Sequence, residues 1–93
     1  MIHNAGIGYR EHARITTEDG HVHVLAVNVL APYILTCLMH RPQRLVCLSS
    51  AMHQAGRGDT HDLDWERRPW NGAQAYSDSK LYDATLAFAV ARL

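Results

Sequence analysis

The sequence is poor in the features that most directly announce a function. Its two cysteines, Cys37 and Cys47, stand in apolar runs with no Cys-x-x-Cys pair and no Cys/His ligand spacing. That speaks against a zinc or dithiol motif and for two free buried thiols in a reducing compartment rather than a disulfide. No sign of charge dominates: nine acidic residues face nine basic ones, so there is no basic stripe for nucleic acid or an anionic membrane. No run approaches the ~18 uninterrupted apolar residues of a membrane span, and Met1 is not followed by a charged and then an apolar secretion segment. A soluble cytoplasmic protein is the expectation. With 47% hydrophobic and 19% charged residues, disorder, collagen and coiled coil also drop out. Lysine is nearly absent, Lys80 being the single one among the nine basic residues.

What is there must bury a core, although 93 residues bury only about 60–65% of their unfolded surface and no staple is visible. Met1 to Gly8 reads as the tail of a strand entering a glycine turn, and residues 10–14 as loop. Thr16-Thr17-Glu18-Asp19 offers a hydroxyl cap followed by carboxylates, so a helix is expected from there. Apolar residues from Val22 to Leu38 recur at three- and four-residue steps, extending a largely buried helix to about Met39. Pro32 has no N–H, so the Asn28 carbonyl loses its partner four residues on and the helix should kink. A bound water is the usual remedy. Arg44 to Ser50 reads as a short buried strand with a polar end. Residues 51–72 form a long connection anchored by Leu63 and Trp65, and Ala73 to Leu93 an alanine-rich helix with Leu81, Ala84, Phe88 and Ala91 on one face. The order strand, helix, strand, loop, helix is part of a parallel α/β unit.

Four groups could carry chemistry. In Tyr76-Ser77-Asp78-Ser79-Lys80 the phenol and the ammonium are four residues apart and share a helix face, where the cation favours the phenolate and makes Tyr76 a proton donor or acceptor. Such a pair also arises by chance on helix surfaces. Ser49-Ser50 closes a parallel strand, where open α/β sheets place ligand crevices and a hydroxyl can donate to a carbonyl oxygen; equally, the serines could only end the strand. No Gly-x-Ser-x-Gly elbow supports a serine nucleophile. Asn28 with Pro32 puts an amide and a freed carbonyl at one point of a kinked helix, or is a plain helix asparagine. Asn4-Ala5-Gly6 lets a flat ligand approach the backbone, or is a simple turn.

Together, in this order, Asn4-Ala5-Gly6, Asn28-Val29, Ser50 and Tyr76-x-x-x-Lys80 resemble the middle of a short-chain dehydrogenase/reductase, in the branch similar to retinol dehydrogenases and polyketide ketoreductases. The likeness covers essentially all 93 residues. It implies a partial Rossmann-like fold, a doubly wound parallel α/β sheet, of which residues 1–93 are the central catalytic segment of an incomplete NAD(P)-binding domain. It also implies roles. Tyr76 is the acid/base; Lys80 tunes it and holds the nicotinamide ribose; Ser50 orients the substrate carbonyl; Asn28, through its main-chain carbonyl, holds a water leading to Lys80; Asn4, Ala5 and Gly6 lie against the cofactor, NAD or NADP. His3 stands where the family usually has Asn. The family's Thr-Gly-x-x-x-Gly-x-Gly phosphate loop is missing, and a whole domain of this kind runs to roughly 250 residues, so the chain reads as an internal fragment, inactive alone.

Met52 and His53 follow Ser50 directly and are the local candidates for substrate contact. His21-x-His23 falls on the expected helix facing two ways, so no metal site is expected. Trp65 and Trp70 are expected as loop anchors against the sheet, with lining of a substrate mouth as the alternative. The resulting expectation is an oxidoreductase segment passing hydride between a nicotinamide and a small carbonyl or alcohol. The competing one is a non-catalytic remnant or interaction module, with a homodimer formed through helices 16–39 and 73–93.

Overall fold

The structure, a computed structural model, describes residues 1–10, 13–58 and 62–92. Its elements are β1 (Ile2–His3), α1 (His23–Leu25), a π-helical turn (Ala26–Leu30), α2 (Ala31–Leu38), β2 (Val46–Cys47), a 3-10 turn (Ala51–Ala55) and α3 (Gly72–Ala91). β1 and β2 pair in parallel with Ile2 opposite Val46 and His3 opposite Cys47. Parallel neighbours need a crossover, here the helix between them, and the small sheet with its helices is a partial α/β arrangement. The expected last residue of α3, Leu93, lies outside the described residues, as do positions 11, 12 and 59–61 of the two expected loops.

The helix expected from Thr16 starts seven residues later, at His23. Instead of capping a helix, Thr17 closes a tight turn: its N–H donates to the His21 carbonyl at 2.8 Å, and Gly20, at φ 91°, supplies the left-handed residue. An isolated antiparallel bridge joins Thr16 to Val22. The Thr17 hydroxyl donates to Asp19, and that bond foremost holds the Asp19 carboxyl below its usual range. His21 therefore precedes the helix, and the His21-x-His23 pair is not a helical one. The helix start is satisfied from far along the chain, since the Asp64 carboxylate accepts from the Val22 N–H at 3.0 Å and from the His21 ring Nδ1 at 3.1 Å. A carboxylate there also meets the positive end of the helix.

Just before Pro32, where the sequence predicts a kink, the structure has a π turn. Ala31 N–H donates to Ala26 O, five residues back, immediately before the proline. A π bulge widens the helix where the i→i−4 ladder cannot continue. Burial is confined to the first half of this helix: Val22, Val24, Leu25 and Asn28 are buried, whereas Tyr33, Ile34, Leu35, Leu38 and Met39 are 45–80% exposed. The periodicity thus overstates the buried length. Cys37 is exposed and Cys47 half-buried, both free, which corrects the expectation of two buried thiols.

The core is Val22, Val24 and Leu25 against Ala75 of α3 and Trp65 of the long connection. Trp65 is in edge contact with Trp70, centroids 5.4 Å apart, and the Arg68 guanidinium lies 3.6 Å over its ring. Both tryptophans are therefore anchors, as expected, but against the helical core rather than the sheet. Trp65 holds φ at 58°, a left-handed conformation uncommon for a bulky side chain, and its buried indole offsets that strain.

α3 is capped by Asn71, whose Oδ1 accepts from the Gln74 N–H at 3.1 Å. Its buried face is polar: Ser77, Asp78, Ser79, Lys80 and Asp83 are all buried, while Phe88, expected on the apolar face, is 71% exposed. Polar burial on this scale requires partners. Asp78 accepts from Arg57 N–H and Gln74 Nε2, both at 2.8 Å, and faces Arg68 Nη1 at 3.6 Å, so it draws the long connection onto the helix. Gly56 completes that docking, because a Cβ there would fall 2.7 Å from the Ser77 carbonyl oxygen and 2.8 Å from Leu81 Cβ.

Candidate functional site

Four different parts of the fold deliver the motif residues. β1 runs into Asn4, Ala5 and Gly6, all exposed. The π turn supplies Asn28, 1% exposed. β2 leads to Ser50, which opens the 3-10 turn, and α3 carries Tyr76 and Lys80.

Asn28 binds them together through its side chain. Oδ1 accepts from the Ile7 N–H at 2.7 Å, while Nδ2 donates to the Ile7 carbonyl at 3.0 Å and to Ser79 Oγ at 3.1 Å. Ser79 in turn donates to the Tyr76 carbonyl at 2.7 Å. A relay of hydrogen bonds thus fixes the loop after β1 to the turn of α3 that carries Tyr76. The sequence reading looked to the Asn28 main-chain carbonyl and missed both this side-chain role and Ser79. The small residue one position before Lys80 was the available signal.

Lys80 is buried, and its Nζ lies 5.7 Å from the centre of the Tyr76 ring. The spacing argument for a shared helix face holds. A Cβ placed on Gly6 would come within 3.5 Å of Asn28 Oδ1 and 3.7 Å of Lys80 Nζ, so the glycine backbone stands directly beside the ammonium. Tyr76 also meets Tyr9 edge-on, with centroids 5.9 Å apart. Tyr9, two residues beyond Ile7, is a second aromatic at the site that no motif singled out.

Ser50 comes to α3 by another route. The 3-10 turn it opens packs on α3, and Ser49 Oγ donates to the Lys80 carbonyl at 3.4 Å. The Ser50 hydroxyl oxygen accepts from Met52 N–H at 3.2 Å, which leaves its own hydrogen available to donate. His53 is bound back onto this residue, its Nδ1 donating to the Ser50 carbonyl at 2.5 Å. Met52 and His53 are half-buried. The structure therefore groups Gly6, Asn28, Tyr76 and Lys80 closely, with Ser50 on a turn packed against the same helix.

One further charged group faces Lys80. Asp83 Oδ2 lies 3.7 Å from Nζ, and both side chains are about nine-tenths buried. Burial pushes the Asp83 carboxyl up to about 6 against the opposing pull of Lys80. Asn28, Pro32, Lys80 and Asp83 line a small cavity of ≈ 10 Å³, about the room one water molecule needs. The Cys47 thiol on its wall is pushed up by burial and, secondarily, by the Asp83 charge.

Among the described residues no helix is long and apolar enough to cross a membrane. No protein-family profile matches the chain, and no solved structure matches it. Curated proteins do. An uncharacterized oxidoreductase of Emericella nidulans is 46% identical over 99% of this chain and 34% of its own length. A short-chain dehydrogenase of Penicillium rubens is 40% identical over 99% of this chain and 36% of its own. Human retinol dehydrogenase 13 is 40% identical over 87% of this chain and 26% of its own. The chain spans about a third of the length of the first two and about a quarter of the third. Similar along nearly all of its residues to proteins of this description, the chain belongs to the short-chain dehydrogenase/reductase family.

Proposed function

We propose that residues 1–93 are the central catalytic segment of a Rossmann-like domain, a doubly wound parallel sheet when whole, in an oxidoreductase acting on a small carbonyl or alcohol with NAD or NADP. The observation that carries the reading is the buried Lys80 ammonium, set beside both the Tyr76 ring and the Gly6 backbone. When bound, the nicotinamide supplies or accepts the hydride. The chain's own residues do the rest. Tyr76 Oη gives a proton to the carbonyl oxygen during reduction and takes it back from the alcohol during oxidation. Lys80 stabilises the negative charge left on that phenolic oxygen, and its position beside exposed Gly6 suits a ribose hydroxyl laid over Asn4, Ala5 and Gly6. Ser50 donates its hydroxyl hydrogen to the carbonyl oxygen as charge develops there. The cavity beside Asn28 and Lys80 suits the water that would feed protons to the ammonium, held by the Asn28 carbonyl. Met52 and His53, next to Ser50, are the proposed substrate contacts.

The test is a chimera in which residues 1–93 replace the matching third of the Penicillium rubens dehydrogenase. Lys80→Met in that host should lower kcat by about 10²-fold and weaken cofactor binding together, because one ammonium serves both. Unchanged kinetics with both cofactors would discard the assignment.

A second reading is favoured by the exposed apolar side chains Tyr33, Ile34, Leu35 and Leu38 on α2 and Phe88 on α3. Apolar side chains exposed on these two helices suit another copy of the chain, as a helix-mediated interaction module. Under this reading the purified chain dimerises in sedimentation experiments and binds neither NADH nor NADPH at micromolar concentration. A monomer that binds either cofactor would dismiss it.

A further inference from the structure

The geometry points to Asp83 as a positioning residue: its carboxylate is the counter-ion that holds the Lys80 ammonium in place between the Tyr76 ring and Gly6. The inference rests on the proposed role of Lys80 and names the group that fixes it.

A lysine side chain has four rotatable carbons and one compact charge, so burying it leaves the head group free to swing unless an opposite charge holds it. Asp83 is one helical turn further along α3, at the i,i+3 spacing where side chains meet, and its Oδ2 is 3.7 Å from Nζ. Its other oxygen, Oδ1, is buried without a hydrogen-bond partner. A half-satisfied carboxylate is expensive to bury, and its retention beside a cavity is better explained by what it does to the neighbouring cation than by stability. The titratable groups facing it come from three elements: Lys80 on α3, His3 on β1 and Cys47 on β2, all on the wall of the same small cavity. His3 is engaged elsewhere, sharing a hydrogen bond with Thr36 Oγ1 at 2.9 Å. From the helix between the strands the facing residues, Asn28 and Pro32, carry no charge. Lys80 is thus the one cation in contact with the carboxylate among the described residues.

The pH consequence has a definite sign. Burial raises the Asp83 carboxyl to about 6, so the carboxylate is charged at neutrality and the ion pair is present. As the pH falls through about 6 the carboxyl becomes neutral and the ammonium loses its anchor.

The single lysine makes the test direct. With 13C at lysine Cε, the 93-residue chain gives one lysine resonance. In the wild-type chain that resonance should step near pH 6, and the step should be absent in Asp83→Asn. A wild-type chain whose lysine signal is flat between pH 5 and 7 overturns the inference without recourse to any variant. In the chimera, Asp83→Asn should behave as the low-pH form at every pH: kcat about 5–10-fold below wild type at pH 7.5, converging with it near pH 5. A wild-type-to-variant ratio that stays constant across this range would mean a merely structural role and also overturns it. The two levels of failure separate cleanly. If Lys80→Met is harmless, the proposed function falls; if Lys80→Met is damaging but the Asp83→Asn ratio ignores pH, only the counter-ion role falls.

Discussion

Replacing Tyr76 by Phe in the chimeric enzyme is expected to lower kcat by about 10³-fold or more while changing cofactor affinity less than about threefold. The substitution removes one oxygen and one transferable proton and leaves the ring. The ring is what the surroundings hold: it sits edge-on to Tyr9 at 5.9 Å and beneath the Lys80 ammonium at 5.7 Å, and the backbone is fixed by Ser79 donating to the Tyr76 carbonyl. Phe keeps each of those contacts. A general acid supplies roughly 10²–10⁴-fold, and its loss falls on kcat when binding is untouched. Stopped-flow measurement of hydride transfer, with cofactor titration by fluorescence, separates the two quantities. An active Phe variant would remove Tyr76 from the chemistry. A variant whose cofactor affinity collapsed along with turnover would mean that the phenol serves binding, and the division of labour between Tyr76 and Lys80 would need redrawing.

How far the sequence foretold this arrangement depends on whether the deciding force was local. The Tyr76–Lys80 relation follows from helix geometry alone and is found as expected; at Pro32 the missing N–H predicts a kink, and what the structure has there is a π turn. The parallel pairing of the two strands also follows from the connection between them. The start of the first helix was not legible. Thr16 and Asp19 have the right chemistry for a cap, but Gly20 takes up a left-handed turn, and the actual partner of the Val22 N–H is Asp64, 42 residues away. Nor was the burial on α3 legible. Its apolar spacing nominated Phe88, which is exposed, while Ser77, Asp78, Ser79, Lys80 and Asp83 go inside. That inversion comes from what α3 packs against: a π turn offering the Asn28 amide and a connection offering Arg57 and Arg68, partners that favour polar groups. Asp83 was detectable in principle, since Lys80-x-x-Asp83 is an ion-pair spacing in any helix. It was overshadowed by the pairing of the same lysine with Tyr76.

The same inversion makes Asn28 the residue whose truncation should cost the fold most. Asn28→Ala is expected to destabilise the chain by about 2–4 kcal/mol, through three hydrogen bonds made from a side chain that is 1% exposed. Alanine leaves the Ile7 N–H and carbonyl and the Ser79 hydroxyl oxygen facing a small void, and only Ile7, half-buried, has ready access to water. A chain of this size has roughly 5–14 kcal/mol of stability in all, and this one, with much apolar surface exposed, belongs at the lower end. A loss of that size corresponds to a fall in Tm of about 10–25 °C, read by circular dichroism. Asn28→Asp sharpens the argument because it keeps the shape. Its Oδ1 still accepts from the Ile7 N–H, but the second oxygen now meets the Ile7 carbonyl where the amide donated, and Ser79 already spends its hydrogen on Tyr76. Aspartate should therefore be nearly as damaging as alanine. Hydrogen exchange at the Ile7 amide should accelerate in both variants, since that N–H is what the asparagine holds. An Asp variant as stable as wild type would show that the donor half of the amide contributes little, and that the loop after β1 is tied to α3 by other contacts.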